Sequence, residues 1–434
     1  MLQTGLVKSM RPLKTAVQLN IKLMQSVSKK DLAKWLSKEL ETLGPTYIKV
    51  GQFISSRKDI FGREFTDEFA DLRDSVSPLT NEEVDQIIKP LVERKVLKGI
   101  IKKPIASASI GQVHKAQLSD GKRVVLKVRR PNIEADIKAN IAFFLRLIAF
   151  FQLLDAVPNL METANILRDF ESGVLKEVDF KNEANNIQLF RTIYKDNELI
   201  YVPKLYKKYS DSDIIMMEFI PSAPVTSYKG DRALLARQIL QAFLQQLIQT
   251  GTIHGDPHPG NIGILSDGRI VLYDFGNVVQ INYQDRQYLK ELIYYLLVNN
   301  KSAIITTLKR LNIRIINERD MSSYIDGYIS YMKTLDFTQI APTNTTNVKM
   351  PFILTGEFFR LIRVFGVLEG LCKELDPNFN YFDVLQNYAS DIFMDQDFII
   401  YKTRADFGSL VPPLEQCFVV DDTHHSALNL LLKK

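Results

Sequence analysis

One segment constrains this chain more than any other part of its sequence: residues 254–276, HGDPHPGNIGILSDGRIVLYDFG. Asp256 and Asn261 are five residues apart in a loop stiffened by two prolines, and Asp274 follows a hydrophobic run. Phosphoryl transfer from ATP requires oxygen ligands for Mg²⁺ and a carboxylate near the attacking group. The spacing therefore predicts a catalytic set of Asp256, Asn261 and Asp274, with Asn261 and Asp274 as the metal ligands.

A second segment, residues 105–128, has the pattern of a phosphate-binding hairpin. A loop of small residues precedes a strand, a turn at Asp120-Gly121 and a second strand that contains Lys127. We expect backbone N–H groups of the loop to bind phosphate oxygens and Lys127 to contact both the phosphates and a glutamate. The predicted ATP-binding residues of this hairpin are Ala106, Ser107, Ala108, Ser109, Ile110, Gly111, Gln112, Val113 and Lys127.

The loop is unusual because Gly111 is its only glycine, whereas phosphate-binding loops are usually rich in glycine. Alanine and serine carry a Cβ atom, which narrows the backbone conformations that are available to the loop. We therefore predict a stiffer loop, a shifted triphosphate and an altered preference between ATP and ADP.

A third segment, LKEVDFKNEANN, is predicted to be a helix that carries Glu177, Asp179 and Glu183. On a continuous helix Asp179 and Glu183 would share a face, whereas Glu177 and Glu183 would point about 120° apart. Glu177 and Glu183 on such a helix would contact two different partners.

The apolar run DIIMMEFI, residues 213–220, is predicted to be a buried strand that links two lobes. Backbone groups of Glu218, Phe219 and Ile220 are expected to bind the adenine ring, with Met217 lining the pocket.

The order of the predicted elements indicates the fold class. Helical spacing dominates before about residue 95, and short strands around 262–265 and 270–273 interrupt a largely helical remainder. This order favours an α+β, two-lobed protein-kinase-like fold with a helical N-terminal extension and a mostly helical C-terminal lobe. The predicted domains are the extension at 1–95, an N-lobe with inserted helices at 96–220, and a C-lobe with a helical tail at 221–434.

Composition excludes several classes of protein. The chain has 434 residues, and a net charge of +5 is too weak at this length to indicate a nucleic-acid partner. Its two cysteines, Cys372 and Cys417, make neither a disulfide framework nor a zinc site, which predicts an intracellular, reducing compartment. Residues 139–157 are apolar but contain Arg146, and they are typical of either a buried helix or a membrane-docking helix.

Five motifs together resemble the UbiB family of atypical protein-kinase-like proteins, also called the ADCK family. They are GPTYIKVGQFISSRKDIF with Lys49-Val50-Gly51-Gln52, the loop ASASIGQVH, KEVDFKNEANN, HGDPHPGN and LEGLCKELDPNFN. The resemblance extends from roughly residue 38 to residue 395.

The resemblance implies more than the residues do by themselves. It implies that the N-terminal extension folds over the nucleotide pocket, that Lys49 reaches Glu177, and that Lys127 pairs with Glu183. The residues implied to regulate the pocket are Lys49, Gly51, Gln52, Glu177, Asp179 and Glu183. The implied activity is that of an atypical kinase or ATPase that uses ATP or ADP with Mg²⁺.

The resemblance also implies a biological setting in ubiquinone or other isoprenoid-quinone metabolism. The implied partners are a lipid or quinone precursor, a membrane surface and quinone-biosynthesis proteins, with no nucleic acid among them. The implied location is peripheral to a mitochondrial, plastid or bacterial inner membrane.

Three alternatives remain beside this interpretation. A conventional protein kinase is disfavoured because Gly255 replaces the arginine that usually precedes the catalytic aspartate, and no Ala-Pro-Glu follows Asp274. A small-molecule phosphotransferase of the aminoglycoside- or choline-kinase type has similar catalytic loops. The third alternative is a nucleotide-binding pseudokinase that acts as a regulatory or scaffold protein.

Overall fold

The computed structural model describes most of the chain. The described residues are 28–56, 63–69, 78–142, 177–334, 351–353, 356–394 and 398–401, with single positions at 18, 72, 171, 174 and 175. Residues 1–27 apart from residue 18, most of the apolar run 139–157 and residues 402–434 lie outside them, so the predictions for the apolar run and for the helical tail concern residues that the structure largely leaves undescribed.

The chain divides into two compact units. The first comprises Met1–Gly230, His254–Val279 and Arg360–Leu371, and the second comprises Asp231–Ile253, Gln280–Phe359 and Cys372–Lys434. All of the catalytic and nucleotide-binding residues predicted from the sequence lie in the first unit. The predicted domain boundaries at residues 95 and 220 stay predictions.

The first unit contains a five-stranded antiparallel sheet in the order β1-β3-β4-β6, with β2 paired to β3. The strands are β1 (Leu97–Ile100), β2 (Ala106–Ser107), β3 (Gly111–Leu118), β4 (Arg123–Arg129) and β6 (Ile214–Glu218). The predicted hairpin between β3 and β4 is confirmed, and Gly121 takes a φ of 87° in its turn. The predicted linking strand is confirmed as β6.

The two faces of this sheet differ in chemistry because side chains alternate along each strand. One face carries Ala116, Leu126 and Met216, which pack with helix α4 (Asn81–Glu93) in an apolar core. The opposite face carries the cross-strand pair Val113 and Lys127. The alternation therefore points Lys127 away from the apolar core.

Three helices precede this sheet: α1 (Lys29–Leu43), α2 (Pro45–Ser56) and α3 (Arg63–Glu68). Gly44 separates α1 from α2, and its φ of 109° is one that glycine adopts readily. Leu40, Ile48 and Phe69 form part of an apolar cluster that holds the three helices together. Val50 of α2 packs instead against a second cluster that contains Ile110 of the small-residue loop. The extension thus packs against the same apolar cluster as the loop.

Two helices follow the sheet hairpin: α5, described over residues 133–142, and α6 (Phe180–Ile193). Tyr47 of the extension donates a hydrogen bond to Oδ1 of Asn140 in α5 at 2.9 Å. The prediction that Asp179 and Glu183 lie on one face of a continuous helix is wrong. Asp179 is the N-cap of α6, where its carboxylate accepts from the backbone N–H groups of Lys181 and Asn182.

The first unit also contains a small sheet in the order β5-β10-β9-β7. Its strands are β5 (Ile200–Tyr201), β7 (Ala223–Pro224), β9 (Ile262–Ile264) and β10 (Ile270–Leu272). The two predicted short strands are present as β9 and β10, and a turn at Asp267-Gly268 joins them. Because β9 and β10 are antiparallel, Asn261 just before β9 lies beside Tyr273 just after β10, and Asp274 follows Tyr273 directly.

The second unit is mostly helical. Its helices are α7 (Arg232–Gln245), α8 (Tyr283–Leu297), α9 (Lys301–Arg310), α10 (Glu318–Thr334) and α12 (Tyr381–Phe393), and α11 (Gly356–Leu375) belongs partly to each unit. A π-helical turn over Gln246–Thr250 follows α7. The remaining strands are β8 (Thr252–His254), β11 (Val278–Gln280), β12 (Arg314–Ile315) and β13 (Phe352–Ile353). Across the described ranges of the chain, no helix combines the length and the apolar character needed to cross a membrane.

The close approach of β3 and β4 at Gly111 generates a stability prediction. A Cβ atom on Gly111 would lie 2.5 Å from the carbonyl oxygen of Val128, and this backbone atom cannot rotate away. We expect Gly111→Ala to lower the free energy of unfolding by about 1–3 kcal/mol, measured by urea denaturation. The control is Gly99→Ala, because nothing lies within 4 Å of its added Cβ. Equal urea midpoints for the two variants would contradict the prediction.

Candidate active site

A buried lysine between two carboxylates is the centre of the site. Nζ of Lys127 lies 2.8 Å from each carboxylate oxygen of Glu183 in α6 and 3.1 Å from Oδ1 of Asp274. The Glu183 side chain is fully buried, whereas the Asp274 side chain is 42% exposed. The predicted contact between Lys127 and Glu183 is therefore present, and it joins β4 to α6.

Burial and charge act on these three groups in opposite directions. Burial raises the pKa of Glu183 to about 7, although the neighbouring Lys127 ammonium opposes this rise. Burial also acts to raise the pKa of Asp274, but the charge and hydrogen bond of Lys127 outweigh it and lower that pKa to about 2. Burial acts to lower the pKa of Lys127, but the carboxylates of Asp274 and Glu183 outweigh it and raise that pKa. Lys127 is thus protonated and Asp274 is ionised at neutral pH.

The backbone of Asp274 is in an uncommon conformation. Its φ is 53°, in the left-handed region that residues other than glycine seldom occupy. Oδ1 of Asp274 accepts from the Gly276 N–H at 3.2 Å and also faces Lys127, whereas no described residue hydrogen-bonds to Oδ2. Strained backbone of this kind is concentrated at functional sites, and here it leaves one carboxylate oxygen available to a ligand.

The loop that carries Asp256 and Asn261 is tied to the strand that precedes Asp274. The Tyr273 N–H donates to the backbone carbonyl of Asn261 at 2.9 Å. The Asn261 side chain is buried, and its Nδ2 donates to the Asp256 carbonyl at 3.1 Å, which leaves its Oδ1 as an acceptor. The Asp256 side chain is 43% exposed and accessible to a substrate. The structure therefore brings the end of β10 and the Asp256–Asn261 loop together.

The donor set fits a magnesium ion that is held together with phosphates. Asn261 and Asp274 each offer an oxygen, and oxygen is the ligand atom that Mg²⁺ requires. Among the residues that the structure describes, no group of three or more His, Cys, Asp or Glu side chains could hold a metal ion. Mg²⁺ usually takes one or two protein ligands and completes its shell with water and phosphate oxygens, and the pair Asn261 and Asp274 stays a prediction.

Three aromatic rings that contact one another near the site were not predicted from the sequence to have a role there. His254 lies 5.4 Å from Phe275, and Phe275 lies 5.1 Å from Phe190 of α6, measured between ring centroids. Asn186 of α6 also donates to the Phe275 carbonyl at 2.9 Å. These contacts join α6, which carries Glu183, to the segment that carries Asp274. Both His254 and Phe275 lie within the quoted segment 254–276. Their closeness in sequence to Asp256 and Asp274 could have identified them as candidates.

His254 also positions the catalytic loop through its ring nitrogens. Burial lowers the pKa of His254, so the ring is neutral. Its Nε2 lies 2.8 Å from the Tyr273 carbonyl, and its Nδ1 lies 3.4 Å from the Asp256 backbone nitrogen. The tautomer that satisfies both contacts donates from Nε2 and accepts at Nδ1. The ring thereby links the two predicted catalytic aspartates.

The small-residue loop is more constrained than its sequence indicates. The Ala108 N–H donates to the Gly111 carbonyl at 2.8 Å, and the Ser107 hydroxyl accepts from Arg130 at 3.2 Å. Two side chains in the stretch 106–113 make their contacts within the protein, and the nucleotide-binding role of this stretch stays a prediction. Ile110 packs in an apolar cluster, and the buried Gln112 accepts a hydrogen bond from the Leu79 N–H.

Among the backbone N–H groups of Glu218, Phe219 and Ile220, two are hydrogen-bonded within the protein. The Glu218 N–H donates to the Lys204 carbonyl at 2.9 Å, and the Phe219 N–H donates to the Arg123 carbonyl at 3.2 Å. The Ile220 N–H makes no hydrogen bond to a described residue, so among these three amides it is the one available to a ligand.

The extension contributes a second ion pair, between Lys49 and Glu177. Both side chains are partly buried, with exposures of 20% and 28%. The structure thus has the two lysine–glutamate pairs that the resemblance implies. Gly51 lies in the core of the extension, where an added Cβ would be 2.2 Å from Leu72 Cδ1. The side chain of Gln52 lies outside the described part of the structure, and the functional roles of all these residues stay predictions.

The buried ion pair generates a prediction on stability and pH. We expect Lys127→Met to lower the free energy of unfolding by about 3–5 kcal/mol, because it leaves Glu183 buried without its cation. In the folded variant, burial will hold the pKa of Glu183 above its ordinary value. In the unfolded chain, the pKa of Glu183 will be ordinary. The folded variant retains a proton that the unfolded chain releases above about pH 4.5, so its stability should fall as the pH rises from 5 to 8.

Urea denaturation across this pH range measures the effect. Adding Glu183→Gln to Lys127→Met should recover stability and remove the slope with pH. The control is Lys301→Met, which breaks a largely exposed pair with Asp326 and should cost less than about 1 kcal/mol. A loss in Lys127→Met that is as small as the control's would contradict the prediction.

Comparison with known proteins identifies the fold and the family. The model of the ABC1 atypical kinase-like domain matches residues 71–308, more than half of the chain. A solved structure of a Mycobacterium tuberculosis protein in complex with erythromycin covers 83% of this chain and 95% of its own, with a TM-score of 0.57 and 22% identity. The predicted α+β, two-lobed kinase-like fold is confirmed.

Two relatives carry kinase names. The Arabidopsis thaliana protein ACTIVITY OF BC1 COMPLEX KINASE 7, chloroplastic, is 30% identical over 387 residues, which are 85% of this chain and 55% of that protein. A probable protein kinase UbiB from Actinobacillus pleuropneumoniae is 33% identical over 270 residues, which are 58% of this chain and 50% of that protein. The chain therefore spans about half the length of these relatives. It belongs to the ABC1 atypical kinase-like family, and the predicted relationship to UbiB and ADCK proteins is confirmed.

Proposed function

We propose that this protein binds Mg²⁺ with ATP or ADP and acts as an atypical kinase or ATPase. The observation that carries the proposal is the contact of one buried ammonium, Lys127, with Glu183 and with Asp274. Family membership supports the same reaction class.

Each residue has a distinct role in this proposal. Lys127 binds nucleotide phosphates, and Glu183 and the ring of His254 keep the surrounding elements in position. Asn261 and Asp274 hold Mg²⁺, which when bound neutralises charge on the phosphates. Asp256 orients the acceptor hydroxyl or water and accepts its proton. The Ile220 N–H binds the adenine ring, and backbone groups of the small-residue loop contact the phosphates.

We further propose that the acceptor is a small molecule or a lipid rather than a protein. Three contacts of the extension support this: Lys49 with Glu177, Tyr47 with Asn140, and Val50 with the cluster around Ile110. These contacts join the extension to α5 and to the apolar cluster that contains Ile110, and an extension in this position would restrict the approach of a protein substrate. The motif resemblance supports a role in isoprenoid-quinone metabolism, at the periphery of a membrane in a reducing compartment.

The catalytic aspartates provide the direct test of this function. Asp256→Asn and Asp274→Asn should each lower ATP hydrolysis by about 100-fold or more, because the first loses the proton acceptor and the second a metal ligand. Phosphate release is measured with and without lipid vesicles and quinone-precursor mimics. The control is Asp267→Asn, an exposed turn residue between β9 and β10. Full turnover in either catalytic variant, or phosphorylation of generic peptides by the unaltered protein, would contradict the proposal.

The small-residue loop provides a second test. Ala108→Gly widens the conformations of the turn and should let the loop approach phosphates more closely. We expect ATP to bind about 2- to 5-fold more tightly relative to ADP, with a higher basal phosphotransfer rate. Nucleotide titration by calorimetry measures the first effect. Ala106→Gly is the control, since Ala106 lies in β2 outside the turn. If the ratio of ATP affinity to ADP affinity is the same in Ala108→Gly as in the unaltered protein, Ala108 does not tune the site.

A further inference from the structure

Arg130 is a buried arginine that follows β4 directly and hydrogen-bonds to the small-residue loop, Ser107–Gly111. Its Nε donates to the Ala108 carbonyl at 3.1 Å, and its Nη2 donates to the Ser107 hydroxyl at 3.2 Å. Its backbone N–H donates to the Ile110 carbonyl at 2.9 Å. One residue, which is only 9% exposed, thus makes three hydrogen bonds to three residues of the loop.

These bonds hold the loop in a closed hairpin. Within the hairpin the Ala108 N–H is already bonded to the Gly111 carbonyl at 2.8 Å. Gly111 in turn lies so close to β4 that an added Cβ would be 2.5 Å from the Val128 carbonyl oxygen. A phosphate that bound the Ala108 N–H would have to replace the internal bond. The loop must therefore change shape before this amide can contact a nucleotide.

The charge of Arg130 makes its bonds to the loop difficult to replace. Burial lowers the pKa of Arg130, while the carboxylate of Glu83 in the first turn of α4 favours the charged form. Hydrogen bonds from a charged donor are stronger than neutral ones, and a buried donor without a partner is costly. The guanidinium therefore opposes any movement that takes Ala108 and Ser107 away from it.

The neighbouring Arg129 has a different set of contacts. Its guanidinium lies 2.6 Å from Asp213 and 3.8 Å from Glu134 and makes no hydrogen bond to the described residues of the loop. Removing Arg129 changes the charge of the strand end by the same amount as removing Arg130. It leaves the loop contacts intact and is therefore a matched control.

We propose that Arg130 is a positioning residue that holds the small-residue loop in its closed hairpin and thereby limits nucleotide binding. The inference rests on the proposed function in that the ligand is a nucleotide. The stiffness predicted from the alanine and serine residues arises within the loop. The restraint by Arg130 is additional, since it comes from the end of β4.

The first experiment measures the loop without any nucleotide. Amide hydrogen exchange of the full chain should be about tenfold faster at Ala108 in Arg130→Met than in the unaltered protein, because two hydrogen bonds to the loop are lost. Arg129→Met should leave that rate unchanged. An unchanged rate in Arg130→Met overturns the proposal irrespective of nucleotide binding.

The second experiment measures binding of Mg-ATP to the same variants by calorimetry. We expect Arg130→Met to bind Mg-ATP about 3- to 10-fold more tightly, with a lower KM and an unchanged kcat. In the double variant Arg130→Met/Ala108→Gly, the gain in Mg-ATP affinity should be smaller than the product of the two single gains, because both substitutions act on one loop. Faster exchange with unchanged or weaker Mg-ATP binding overturns the link between Arg130 and nucleotide binding.

A second variant keeps the inference testable if Arg130→Met does not fold. Ser107→Ala removes only the acceptor of the Nη2 bond and should change exchange and affinity in the same direction by a smaller factor. No change in either quantity in a folded Ser107→Ala overturns the proposal. If the unaltered protein binds no nucleotide, the proposed function fails, and the exchange experiment still decides whether Arg130 holds the loop.

Discussion

The ion pair between Lys127 and Glu183 is the interaction on which the rest of the candidate site depends. It joins the sheet to α6 across 56 residues of sequence, and Asp274 approaches the same ammonium from a third segment. A fully buried carboxylate is stable only beside a cation, so the positions of β4 and α6 constrain each other. The rings of Phe190, Phe275 and His254 extend this constraint to the catalytic loop.

The small-residue loop is held from two sides, and this has consequences for how the site works. Val50 of the extension packs against the cluster that contains Ile110, and Arg130 binds the loop from the end of β4. A glycine-rich loop without these contacts could close over phosphates at little cost. Here closure around a ligand must disturb hydrogen bonds and apolar packing that already exist.

Much of the fold and of the site could be predicted from the sequence because its signals are local. The Asp-Gly turns, the strand alternation around Lys127 and the Asp256–Asn261 spacing each involve a few neighbouring residues. The error came where a local pattern had two outcomes. Asp179 fits a helix interior by spacing, yet an aspartate also caps helices well, and the structure places it at the N-cap of α6.

The sequence by itself determined the fold class, and it predicts the catalytic set of Asp256, Asn261 and Asp274 and a lysine that contacts the nucleotide. Those features follow from residue types at short, defined spacings. Only the tertiary structure decided that Lys127 contacts Asp274 as well as Glu183, that His254 joins the backbone of Tyr273 to that of Asp256, and that Arg130 binds the loop. The physical reason is that these contacts connect segments distant in sequence, and their partners are selected by burial and charge in three dimensions rather than by spacing along the chain.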